Sequence, residues 1–182
     1  MPTTKRTGAS WSDVKAKLTE LDRSALLALV HDLYAAGKEN QAFLHTRFGV
    51  SDDVLKPYEV TISRWLWPDV FRGQDTSVAK AKKAIADYRK ADGQPHGLAE
   101  LTAFFCEQAS GFAADVGMDD ESYLGALVRM FEQALKAVVA LPESQRPEFL
   151  ARLDAVRQRC QDIGYGVGDD VNELWAQGGR AG

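Results

Sequence analysis

The side chains best suited to metal or nucleophilic chemistry are His31, His45, His96, Cys106 and Cys160. No two of them lie at C-x-x-C or H-x-x-x-H spacing, and none completes an E-x-x-H pair. Glu107 and Glu132 fall on neighbouring helical stretches and would suit a dimetal carboxylate centre. Such a centre needs histidine three residues after each glutamate, and Ser110 and Leu135 stand there instead. His31 adjoins Asp32, but successive residues of a helix point to different faces. Cys106 and Cys160 sit in apolar, helix-periodic stretches and read as small hydrophobes rather than nucleophiles. GYGVGDD (Gly164–Asp170) has the glycines of a phosphate loop, yet it follows a helix pattern, lacks the Lys-Ser/Thr ending and carries two aspartates. It reads as a link in which Gly164 closes one helix in the left-handed conformation and Asp169 or Asp170 caps the next. No catalytic residue, cofactor or metal is expected, and an enzyme is not the leading reading.

The clearest chemical signal is RWLWPDVFRGQDTSVAKAKKAIADYRKA (Arg64–Ala91). Between Arg64 and Lys90 it holds seven cations and three acids, so it is +4 while the rest of the chain is −8. Lys80, Lys83 and Lys90 share one helical stripe, and Lys82 and Arg89 another. Arg64 and Trp67 are three apart and could stack as a cation–π pair or a base platform. Arg64, Trp67, Arg72, Lys80, Lys82, Lys83, Arg89 and Lys90 are therefore the candidate binding surface. The competing reading is a solvated helix face whose charge complements an acidic chain. In that segment Trp65 falls on the Tyr58–Ile62 stripe and is expected in the core, with Trp67 on the surface.

The elements that carry these residues all have the helical period. Ser10 and Asp13 form a capping box for a first helix with Val14, Leu18 and Leu21 as its stripe. Asp22 caps a second helix, with Leu26, Leu29, Val30, Leu33 and Tyr34 expected as core face and Gly37 as C-cap. A third, short helix with Phe43, Leu44 and Phe48 ends at Gly49. The next starts at Pro57 and stops at Trp67, because Pro68 biases its predecessor out of the helix. PDVF makes about one turn, and Asp75 or Thr76 caps a helix to Ala91 with Val78, Ala81, Ile85 and Tyr88 facing inward. Three longer helices span about 98–116, 121–141 and 144–163, with short, hairpin-compatible links GMDD and LPES. A last one covers about 170–176 with Leu174 and Trp175. DGQPHG (Asp92–Gly97) is the most loop-like interior stretch. The expectation is an all-α single domain of about eight helices, with sub-bundles 10–91 and 98–176, antiparallel hairpins in the second half, and disordered ends at 1–9 and 178–182. FCEQA and FEQA echo each other faintly, which leaves repeat-like stacking open.

Composition agrees with a globular chain: 182 residues, 45% hydrophobic, 26% charged, net charge −4. Two cysteines make no disulfide framework, no leader pattern opens the chain, and no apolar run reaches bilayer-spanning length, so a cytoplasmic protein with no membrane partner is expected. The runs LTELDRSALLALVHDLYAAGKENQAFLHTRF and ISRWLWPDVFRGQDTSVAKAKKAIADYRKA, continuing through EQALKAVVALP to GYGVGDD, resemble an uncharacterised bacterial helical family, a domain of unknown function. The resemblance covers most of the chain. It implies a bacterial, cytoplasmic, mostly helical protein and carries no activity or site residues. The leading expectation is a non-enzymatic protein-interaction or regulatory module, with a protein partner or self-association. Nucleic-acid binding through segment 64–90 is the alternative.

Overall fold

The structure is a computed structural model and describes residues 8–178. Every regular element among them is helical: α1 (Trp11–Leu18), α2 (Arg23–Ala36), α3 (Lys38–Phe48), α4 (Lys56–Leu66), α5 (Val78–Ala91), α6 (Pro95–Val116), α7 (Glu121–Val139), α8 (Arg146–Cys160) and α9 (Val167–Gly178), with 3-10 turns at Val70–Arg72 and Glu143–Gln145. The chain divides into two compact units, one up to Leu44 and one from His45. The expected disorder of the ends falls almost wholly outside the described residues. Within them, Gly178 closes α9 and lies against Leu135.

In the first unit, α1 begins where the sequence directs. The Ser10 hydroxyl accepts from the Asp13 amide, and the Asp13 carboxylate accepts from the Ser10 amide at 2.8 Å. Bonds donated by the Ser10 amide and by the Ser10 hydroxyl hold the Asp13 carboxyl below its ordinary range, the amide's being the larger cause. Asp22 caps α2 by accepting from the Ala25 amide at 2.7 Å. Gly37 follows α2 with extended angles, φ −179° and ψ 154°, rather than the left-handed ones expected. The orphan Leu33 carbonyl is met by the Asn40 side-chain amide at 2.6 Å. A second departure is larger. Neither α1 nor α2 contains a buried residue. The face expected as core stands in solvent at Leu26, Leu29, Val30 and Leu33, with Leu27, 61% exposed, beside it.

The second unit has the core. Nearly all the residues expected to be internal are buried: Leu101, Phe105 and Phe112 on α6, Leu124, Leu127, Phe131, Leu135 and Val138 on α7, and Leu153, Val156 and Cys160 on α8. Leu150 is only half-buried. Arg152 of α8 reaches Glu100 and Glu107 of α6, and Arg159 reaches Ser110. Numbers rise together along the two helices, so α6 and α8 run in the same sense and α7 between them runs opposite. The hairpins of this half are therefore antiparallel, as its short links require. Both α4 and α5 pack on α6 in this unit. Asp92–Gln94 is consequently a turn inside it, and α6 begins at Pro95, three residues before the expected start, because proline suits a first helical turn. The GYGVGDD link also differs from expectation. Tyr165 and Gly166 take positive φ, not Gly164, and α9 begins at Val167, which places Asp169 and Asp170 in its first turn rather than at its cap.

Candidate functional site

The aromatic-basic segment is positioned by the end of α4. Trp67 leaves the helix at φ −130° and ψ 66°, where Pro68 forces the break. The last carbonyls are met from outside the helix. The Ser77 amide donates to the Trp65 carbonyl at 2.9 Å, and the Tyr123 hydroxyl donates to the Leu66 carbonyl at 2.8 Å. Holding Ser77 in this way makes it the N-cap of α5, its hydroxyl accepting from the Lys80 amide, in place of Asp75 or Thr76.

The two tryptophans exchange part of their expected roles. The buried face of α4 is Tyr58, Ile62 and Leu66, so Trp65 sits at its edge, half-buried. Arg64 stacks on the Trp65 ring at 4.5 Å, and the Lys80 ammonium sits 3.7 Å from its centroid. The cation–π pairing thus uses Trp65, where Trp67 was expected. Trp67 is 42% exposed and lies against Phe112, with ring centroids 6.4 Å apart. It approaches Gly111 so closely that a Cβ there would meet the indole at 2.4 Å. Trp67, Gly111, Ala114 and Val156 line a groove of about 610 Å³ between α6 and α8. Arg152 and Arg159 line it as well, but both are engaged: Arg152 by Glu107 at 2.7 and 3.0 Å and Glu100 at 2.7 Å, Arg159 by the Ser110 hydroxyl at 3.1 Å. The bidentate pairing with Glu107, above all, pushes the Arg152 guanidinium above its already high value.

The remaining candidates are dispersed. Arg72 pairs with Asp69 at the exposed 3-10 turn, beside a Phe71 that is 99% exposed. Lys83 pairs with Asp87. Arg89 and Lys90 are exposed, and the Lys90 carbonyl accepts from Arg47. On α5 the buried residues Ala81, Ala84, Ile85, Tyr88 and Ala91 separate the row Lys80–Lys83–Lys90 from the row Lys82–Arg89, so the cations form two flanks of one helix. Lys82 turns into a different groove, of about 490 Å³, between α5 and α7, which Thr76, Ser122 and Arg129 also line.

No cluster of three His, Cys, Asp or Glu able to hold a metal occurs among the described residues. Glu107 serves Arg152, and Glu132 pairs with Lys136 along α7. Cys106 and Cys160 are free thiols and fully buried. Burial pushes both up, Cys160 to about 11, which disfavours the thiolate that nucleophilic chemistry needs. His31 is exposed. Among the described residues no helix is long and apolar enough to cross a membrane. Sequence reasoning missed Gly111, Arg129, Arg152 and Arg159. Arg129, the lone cation in the apolar run LVRMF four residues after Gly125, was the most findable of them. Comparison with protein-family models, with curated proteins and with solved structures found no match.

Proposed function

We propose that this chain is a non-enzymatic protein-interaction module that associates with a second copy of itself through α1 and α2. One observation carries the reading: α2 is a 14-residue helix rich in leucine and alanine with no buried residue. Leu26, Leu29, Val30 and Leu33 recur at i, i+3, i+4 and i+7, which makes one continuous apolar stripe, and Trp11 and Val14 of α1 are exposed too. A soluble helix stripe of this kind ordinarily lies against another surface.

A second copy suits it because the stripe carries no charge and is therefore complementary to itself. Beside the stripe stand Arg23, next to the Asp22 cap, at one end of α2 and Asp32 near the other. A two-fold, antiparallel pairing brings each arginine toward the opposite aspartate. Sedimentation equilibrium tests this directly. The wild-type chain is expected as a dimer, and Leu26→Glu with Leu33→Glu as a monomer with unchanged helicity. A wild-type chain that stays monomeric at its highest soluble concentration would overturn self-association.

A further inference from the structure

The groove between α5 and α7 is lined by two cations from different helices, neither of which is ion-paired among the described residues. Lys82 of α5 is half-buried there, and Arg129 of α7, an exposed residue, lines the same groove. Neither makes a hydrogen bond or ion pair among the described residues. The Arg129 guanidinium folds back over Gly125, whose missing side chain leaves it room: a Cβ at that position would lie 3.3 Å from Nη1. Burial lowers the Lys82 ammonium from its ordinary value, and the neighbouring Arg129 charge lowers it further.

The rest of the lining is suited to an anion. The Thr76 hydroxyl has no partner among the described residues, and the Ser77 hydroxyl, which accepts from Lys80, still has a proton to donate. The one acid in the lining, Asp120, is committed to its own helix. It accepts from the amides of Ser122 and Tyr123 at 2.8 and 3.2 Å, and the Ser122 hydroxyl together with these amides holds its carboxyl below the usual range. Val78, Ala79 and Ala126 supply the apolar part of the lining. Two unpaired cations, one of them a planar fork able to bind two oxygens at once, match a doubly charged oxyanion better than a single carboxylate.

We propose that the α5–α7 groove is a binding site for a small phosphate-bearing ligand, held by Lys82, Arg129 and the Thr76 hydroxyl. All of its lining belongs to the second unit, and the proposal does not depend on self-association. Isothermal titration with inorganic phosphate and with pyrophosphate, at constant ionic strength in chloride, tests it. Both anions are expected to bind, and Lys82→Met or Arg129→Met to weaken binding by at least roughly tenfold each. Lys90→Met, on the other flank of α5, is expected to bind as wild type does. In the absence of phosphate, Lys82→Met is expected to melt no lower than wild type, because it relieves a like-charge contact. No heat with either anion, or variants that bind as tightly as wild type, would overturn the site. Binding of a mixed-sequence DNA duplex with none of phosphate or pyrophosphate would overturn it in favour of a nucleic-acid surface.

Discussion

At the scale of single residues, close approach decides more than charge does. Gly111 lets the Trp67 indole lie on α6, and Gly97 does the same for Tyr88, whose hydroxyl would meet a Cβ at 2.0 Å. Gly111→Ala is expected to push Trp67 off Phe112 into water. The stability loss should be about 1–2 kcal/mol, at the lower end for overpacking because the ring is already partly exposed. Tryptophan emission checks this against Trp67→Phe: the red shift should appear in Gly111→Ala and vanish when both changes are combined. Unchanged emission would remove the close-approach account. Such contacts are hard to read in a sequence, since a glycine inside a helix looks the same whether an indole or open water lies above it. The two tryptophans show a related limit. Spacings of i, i+4 and i+7 place Trp65 inward, while i, i+4 and i+8 place Leu66 there, and α4 takes the second. Only the neighbouring helix chooses between them.

At the scale of elements, caps were legible and partners were not. Ser10 and Asp22 start α1 and α2 as their spacing requires, because a cap is a bond between residues three apart. Ser77 was obscured by Asp75 and Thr76, which are equally able to cap; its amide's bond to the Trp65 carbonyl, twelve residues back, decides the matter. The seam between α6 and α8 lies at longer range still. Arg152 is about one quarter exposed and serves two glutamates. Its removal leaves Glu100 and Glu107 beside each other without compensation. Arg152→Met is expected to destabilise by about 2 kcal/mol, between the values typical of exposed and buried pairs. Urea denaturation should show a lowered midpoint with an unchanged slope, and Glu100→Gln with Glu107→Gln in the same chain should recover most of it. A single variant as stable as wild type would mean that the pair contributes only solubility.

At the scale of the molecule, the all-α class followed from one period running through the whole chain, and the core of the second unit followed from dense apolar faces. What periodicity cannot state is whether a stripe is covered. The stripes of α2 and α7 look alike in sequence, yet α7 buries nine residues and α2 none. The buried tyrosines give the core a pH signature. Burial raises Tyr58, Tyr88 and Tyr123, taking Tyr88 to about 12 and Tyr123 higher still. A folded-state value above the unfolded one, near ~10, means that their stabilisation is full below pH ~10 and is lost as pH rises through the folded values. Unfolding free energy is expected to fall steeply above that pH. The tyrosinate absorbance of these three residues should appear together with loss of helical circular dichroism. Complete tyrosine ionisation with helicity intact would contradict their burial.

The bond from Tyr123 to the Leu66 carbonyl has a consequence for the order of assembly. The last turn of α4 cannot complete its hydrogen bonding from its own residues, because the chain leaves the helix at Trp67 and no later helical amides follow to meet the Trp65 and Leu66 carbonyls. Ser77 and Tyr123 supply what is missing, and Tyr123 does so from 57 residues further along the chain. During synthesis, the Leu66 carbonyl can meet this native partner only after the first turn of α7 has emerged. The corner that sets Trp65 and Trp67 in place thus joins one partner from its own segment to one from a distant helix.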